Sequence, residues 1–345
     1  MSSLFLSACR RQPTPRTPIW LMRQAGRYLP CYRQIREKTT FLELCKNAEL
    51  CAEVMLLTVE ELQVDAAIIF ADLLPILEPL GFELEFTPGE GPIIHNPVRT
   101  GADLARLREL ENLAALEFVP ETVRLTKAGL PPHIPVIGFA GAPFTLASYA
   151  IEGSGSRQYP HTKRLMYTDP GAWHALCQLL TRAIVRYLNG QIAAGADCVQ
   201  IFDSWVGCLS PADYRHYVLP HMQSLFAGLT PSAPVIHFGA GNPALLPLIA
   251  EAGGDVIGLD WRTEFATGWQ AVGHARAVQG NLDPLVLLGS SGELRRQARA
   301  ILEAAGSRPG HIFNLGHGIV PQTDPARVRE LIAIVKEESA KIRGG

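Results

Sequence analysis

Asp197-Cys198-Val199-Gln200-Ile201-Phe202 is apolar almost throughout and runs directly into the polar Asp203-Ser204-Trp205. It follows a long stretch of helical spacing, residues 169–194, that stops at Gly195-Ala196-Asp197. An uninterrupted apolar strand beside a helix is the pattern of a parallel sheet buried on both faces. Working outward, the same unit recurs at residues 65–70, 134–139, 234–238, 255–259, 275–279 and 311–315, with helical spacing between most of them. Residues 18–22, Pro-Ile-Trp-Leu-Met, supply an eighth strand candidate. Eight strands with intervening helices predict α/β architecture closed as a single-domain, distorted (β/α)8 TIM barrel over residues 1–345. An open doubly wound sheet is the alternative, and no G-x-G-x-x-G opens a first helix to support it. Residues 82–99 break the rhythm and read as a hairpin inserted beside the barrel.

Composition narrows the classes of function. Hydrophobic residues make up 47% and charged residues 19%, enough apolar material for one large core. No apolar run reaches the roughly 18 residues needed to cross a bilayer. A net charge of −2 gives no global reason to expect nucleic acid or an anionic membrane as partner, so anion binding has to come from local clustering. The seven cysteines, Cys9, Cys31, Cys45, Cys51, Cys177, Cys198 and Cys208, include no C-x-x-C pair and read as reduced thiols of a cytoplasmic protein. Leu6-Ser7-Ala8-Cys9 superficially resembles a lipoprotein cleavage box, but the apolar stretch before it is short and carries no positive residue. No signal peptide is expected.

In a barrel of this kind the chemistry sits where strands end and the following loops begin. Those ends hold Arg23 to Arg27, Asp72, Gly141 to Phe144, Asp203-Ser204-Trp205, His237, Asp260, Asn281 and Gly316-His317-Gly318. The N-terminal segment is unusually basic, with Arg10, Arg11, Arg16, Arg23, Arg27, Arg33, Arg36 and Lys38 opposed only by Glu37. Guanidiniums grip carboxylates bidentately, so this region suits a multiply carboxylated ligand. The plain alternative is a solvated basic face; Arg23-Gln24-Ala25-Gly26-Arg27 departs from it by following a predicted strand. Asp72 ends an apolar strand, where a carboxylate is costly unless it finds donors, although it could simply cap the next helix. Ser204 could likewise be a cap, His317 a satisfied turn residue, and Tyr149 a packed aromatic. The chain has no H-E-x-x-H, no H-x-C, no cysteine after Cys208 and no phosphate-binding G-x-x-x-x-G-K-[ST] loop, so neither a zinc-thiolate site nor a nucleotide site is expected.

Taken in order, the motifs are PIWLMRQAGRYLP (18–30), IFADLL (69–74), GAPFTL (141–146), IFDSW (201–205), QGNLDP (279–284) and FNLGHG (313–318). This set resembles the uroporphyrinogen decarboxylase family along nearly the whole chain. The resemblance implies a distorted (β/α)8 barrel, usually a homodimer, with neither metal nor organic cofactor. Its substrate would be a flexible tetrapyrrole macrocycle with four acetates and four propionates, the acetates leaving in turn as carbon dioxide. It implies carboxylate binding by Arg23, Arg27 and Arg36, with Gln24, Ala25 and Gly26 in the same substrate-binding run. Asp72 would be the central carboxylate facing the pyrrole N–H groups, and Tyr149, Ser204 and His317 further substrate contacts. Asp72, Arg36, Tyr149 and His317 form the expected catalytic set, with Arg36 or a water near His317 as the favoured proton source. Two positions depart from the family pattern, Cys31 where an acidic residue is common and the loop Gly239-Ala240-Gly241-Asn242-Pro243; neither touches those residues. Two rivals stand beside this expectation: a corrinoid-linked methyltransferase of the same superfamily, and a non-catalytic tetrapyrrole-binding protein.

Overall fold

A computed structural model describes residues 3–87 and 91–344. Seven strands form one parallel sheet: β1 (Ala67–Ile68), β4 (Val136–Gly141), β5 (Cys198–Asp203), β6 (Val235–Gly239), β7 (Val256–Gly258), β8 (Ala277–Gln279) and β9 (His311–Ile312). They neighbour one another in chain order, all pairings are parallel, and the curled sheet is covered by helices. Every strand predicted from residue 65 onward is present, each within a few residues of its expected bounds. The antiparallel pair β2 (Leu84–Thr87) and β3 (Gly91–Ile94) is the expected inserted hairpin; its turn lies outside the described residues.

The eighth strand is where expectation and structure differ. Residues 18–22 form no ladder; Ile19 makes a single parallel bridge to Phe313. The segment nevertheless occupies the eighth position. On one side the Phe313 N–H donates to the Pro18 carbonyl at 2.8 Å, and on the other the Asp65 N–H donates to the Ile19 carbonyl at 2.8 Å. The chain turns sharply at Leu21–Gln24, where the Gln24 N–H returns to the Leu21 carbonyl at 2.9 Å. That turn leaves no length for a longer ladder.

A repeated clasp explains why several strand runs open with aspartate. The Asp197 N–H donates to the Val136 carbonyl while its carboxylate accepts the Val136 N–H, at 2.8 and 2.9 Å. Asp255 does the same to Val235, at 2.8 Å for both bonds. Asp65 does it to Ile19, again at 2.8 Å for both. Each aspartate thereby satisfies an N–H at the rim of the preceding stave that the ladder would leave unpaired. Asp65 also takes a two-point ion pair from Arg16, at 2.7 and 2.6 Å.

Inside the barrel, Trp20 donates its indole N–H to Gln279 Oε1 at 2.9 Å, and Gln279 donates to Gln200 Oε1 at 3.0 Å. This polar chain ties β5, β8 and the eighth stave across the interior. Outside, the helix Pro170–Ala193 starts on Asp169, which accepts the Ala172 N–H at 3.0 Å with Pro170 in the first turn. It ends before Gly195 at φ +111°, a conformation that favours glycine.

Candidate active site

The strand ends open into a cavity of about 1280 Å³, larger than the ~300–1,000 Å³ usual for small-molecule pockets. Its lining includes Arg23, Ala25, Gly26, Arg27, Arg36, Asp72, Tyr149, Ser204 and His317. One expected residue lies elsewhere: Gln24 is fully buried and is not part of the lining. Its side chain accepts the Leu21 N–H and donates to the Ala66 carbonyl, both at 3.2 Å, while the Tyr28 hydroxyl donates to its backbone carbonyl at 2.6 Å. Gln24 therefore clamps the turn that presents its neighbours; the side chain expected to bind substrate faces inward.

Asp72 sits where β1 gives way to the short helical turn Pro75–Leu77. The Leu74 N–H donates to its carboxylate at 2.9 Å. The carboxylate is half-buried in the cavity lining, and its desolvation pushes its pKa up to about 6, against the lowering pull of the Leu74 N–H, Arg23 and the Leu73 N–H. At neutral pH the carboxylate is mostly ionised, with the backbone N–H groups of Leu74 and Leu73 on one side and the cavity on the other, an arrangement suited to meeting positive charge from a ligand. Tyr149, on the helix Pro143–Glu152, is raised to about 12, by burial first and by Asp72 second. Burial, then Arg23, depresses His317 below the usual imidazole value, which leaves its ring neutral at pH 7. Arg23 lines the same cavity as Asp72, Tyr149 and His317, and its charge acts on all three.

Arg23 is held there by the backbone. Its φ of +61° lies in the left-handed region, which a non-glycine residue rarely adopts away from functional sites. On one flank the Met22 N–H donates to Asn314 Oδ1 at 2.9 Å, and the Ile319 N–H donates to the Met22 carbonyl at 3.0 Å. Gly318 lies against its side chain: a Cβ at that position would come within 2.7 Å of Arg23 Cγ. The small residue after His317 is thus what lets the arginine pass.

The basic segment divides. Arg23, Arg27, Arg36 and Lys38 line the cavity along with Glu37. Arg36 is tethered to the Thr39 carbonyl. Arg16 is committed to Asp65, and Arg33 donates to the carbonyls of Arg27 and Tyr28 at 3.0 and 2.9 Å. A bare count of guanidiniums therefore overstates the cationic wall.

An apolar wall was not anticipated. Phe139, Phe202 and Phe238, from three adjacent strands, line the cavity in edge contacts with centroids 5.5 and 6.1 Å apart. Phe41 and Phe86, at 5.0 Å, join the helix Phe41–Cys45 to the hairpin, which brings the hairpin into the cavity wall. At strand ends such phenylalanines read as core, and Phe139 and Phe238 are indeed buried in it; their edges also form part of the cavity lining. Among the described residues no three His, Cys, Asp or Glu side chains converge as a candidate metal site, and no helix is long and apolar enough to cross a membrane.

The barrel and the cavity at its C-terminal face define an enzyme of the (β/α)8 class, with Asp72 sharing the cavity with a cluster of guanidiniums. More particularly, the chain belongs to the uroporphyrinogen decarboxylase family, whose model matches residues 1–338. It is 52% identical to the uroporphyrinogen decarboxylase of Roseiflexus sp. (strain RS-1), covering 98% of this chain and 99% of that one. It is also 52% identical to a protein of the same name from Thermus thermophilus, covering 99% of each. Among solved structures it is similar to a methyltransferase from Methanosarcina mazei, with a TM-score of 0.79 at 19% identity over 98% of this chain and 99% of that one. At that identity the likeness concerns the fold alone.

Proposed function

We propose that this chain decarboxylates the acetate side chains of uroporphyrinogen, giving coproporphyrinogen, with Asp72 as the central carboxylate. One observation carries the reading: Asp72 lines the same cavity as Arg23, Arg27 and Arg36. Losing carbon dioxide leaves a carbanion that needs an electron sink. Protonating the pyrrole carbon beside the acetate creates that sink within the substrate and puts positive charge on the ring. Loss of carbon dioxide leaves an exocyclic methylene, which takes up a proton to become the methyl as the ring carbon gives its own proton back. An ionised Asp72 stabilises that positive charge more than it stabilises the neutral ground state. Tyr149, Ser204 and His317 bind the macrocycle from the side walls, and the phenylalanines accommodate its apolar faces. Three arginines and Lys38 cannot between them meet all eight carboxylates of the ligand at once. The arrangement therefore suits a macrocycle that buries one acetate at a time and leaves the others near the solvated mouth.

The proton comes to the substrate from Arg36 or from a water beside His317 in this reading. The neutral state of the His317 ring favours water, with the imidazole as its hydrogen-bond partner. A homodimer in the cytoplasm belongs to the same proposal; exposed Trp261 after β7, and Leu285 and Leu288 on the short helical turn Pro284–Leu288 after β8, support an apolar contact. Anaerobic incubation with uroporphyrinogen should yield products lacking one to four carboxyl groups. Binding without carbon dioxide release would favour the non-catalytic reading, and stoichiometric zinc in the purified protein would favour the methyltransferase.

A further inference from the structure

Directly behind the cavity wall, a buried trio of polar groups is used by none of the steps above. Asp203, the last residue of β5, is fully buried. The Thr145 hydroxyl, from the first turn of the helix Pro143–Glu152, donates to Asp203 Oδ1 at 3.0 Å. The same hydroxyl accepts the Trp205 N–H at 3.3 Å. Ser204, a cavity residue, is spanned by this link. Trp205 packs its ring edge-on to the cavity residue Tyr149, with centroids 5.7 Å apart. Tyr149 is four residues after Thr145, on the same face of one helix.

Placement of two cavity side chains on two different elements therefore passes through one hydroxyl. Helix and strand end are also joined by the Ala142 N–H, which donates to the Phe202 carbonyl at 2.9 Å, so the hydroxyl fixes the loop beyond a hinge that is already anchored. The second oxygen of Asp203 has no partner among the described residues, and burial raises its pKa to about 7. A group this costly to bury, not needed to hold the strand ladder, is more simply understood as serving the site.

We infer that Asp203 and Thr145 are positioning residues for decarboxylation: through the Thr145 hydroxyl they hold Ser204 and the Trp205–Tyr149 pair in register with the macrocycle. The inference rests on the decarboxylase reading. Without the hydroxyl the β5 loop and the Tyr149 helix shift independently, so that a ring already bound is presented less accurately to Asp72. Each acetate requires a fresh presentation of the ring, so the error recurs at every round.

The test compares Thr145→Val, Thr145→Ala, Thr145→Ser and Asp203→Asn with the unaltered chain in anaerobic turnover of uroporphyrinogen. Circular dichroism and the thermal midpoint report the folded fraction. Thr145→Val is expected to lose roughly 10- to 100-fold in kcat/KM per folded molecule, the scale of an ångström-sized misplacement. It should also release a larger share of partly decarboxylated intermediates. Thr145→Ser and Asp203→Asn keep the hydroxyl and its acceptor and should return near unaltered values. If valine is not accommodated, Thr145→Ala removes the same hydroxyl with less bulk. A purely structural role would lower the folded fraction but leave the intermediate pattern unchanged. Folded Thr145→Val or Thr145→Ala with unaltered kcat, KM and intermediates overturns the inference and leaves the decarboxylase reading standing. An unaltered chain that leaves uroporphyrinogen intact overturns both.

Discussion

Asp72 shows how one side chain acquires its chemistry from position. A carboxylic acid at the end of an apolar strand is desolvated, and the backbone N–H groups of Leu74 and Leu73, with Arg23, only partly offset that. Asp72→Asn is expected to stay folded and lose at least about 100-fold in kcat, the scale of removing one group that stabilises developing charge. A variant turning over normally would assign the role elsewhere. The free enzyme should show an acidic limb in kcat/KM near pH 6, because the raised pKa means the needed carboxylate is lost as pH falls through that value. A limb near the ordinary carboxylate value would argue for another group. Gly318→Ala tests the placement of Arg23, since the added methyl would press on its side chain. KM should rise roughly tenfold with a smaller change in kcat, matching one lost charge-assisted hydrogen bond; an unchanged KM would show that Arg23 does not hold the ligand. Asp72 was legible in the sequence because an acid among apolar neighbours stands out. Gln24 was not, since Arg23 and Gln24 point apart only after a turn with positive φ at Arg23.

Among the elements, the strand-initial aspartates Asp65, Asp197 and Asp255 act as a recurring fastener. Asp65 matters most, because the stave it fastens has a single bridge on its other side and carries the arginine turn. Asp65→Ala frees both the Ile19 N–H and Arg16, and is expected to destabilise the fold by about 2 kcal/mol. A lowered thermal midpoint, with KM rising at temperatures well below it, checks the claim; a lower midpoint with KM untouched would make the clasp structural only. The strand runs were legible from their continuous apolar pattern. The short eighth ladder was not, because a brief apolar run does not reveal that the backbone begins to turn at Leu21. The hairpin was visible as a break in rhythm, whereas its place in the wall depends on Phe86 meeting Phe41 across a long stretch of chain.

For the whole molecule, electrostatics concentrates at one mouth. Net charge is −2, yet Arg23, Arg27, Arg36 and Lys38 share a single cavity with Asp72. KM for a polycarboxylate should therefore rise with ionic strength as the Debye length falls from about 10 Å at 0.1 M to about 3 Å at 1 M. Steady-state kinetics across that range measures it, and a salt-independent KM would sink the cationic wall.

By itself the sequence determined the barrel, because eight apolar runs buried on both faces with helices between them have few other ways to pack. It also determined the family, through long motifs at successive strand ends. Tertiary structure alone decided that Gln24 turns away from the cavity, that strand-end phenylalanines line it as well as the core, and that Thr145 joins two walls of the site. Those outcomes depend on where distant segments meet and on which backbone groups are already paired. Local spacing records neither.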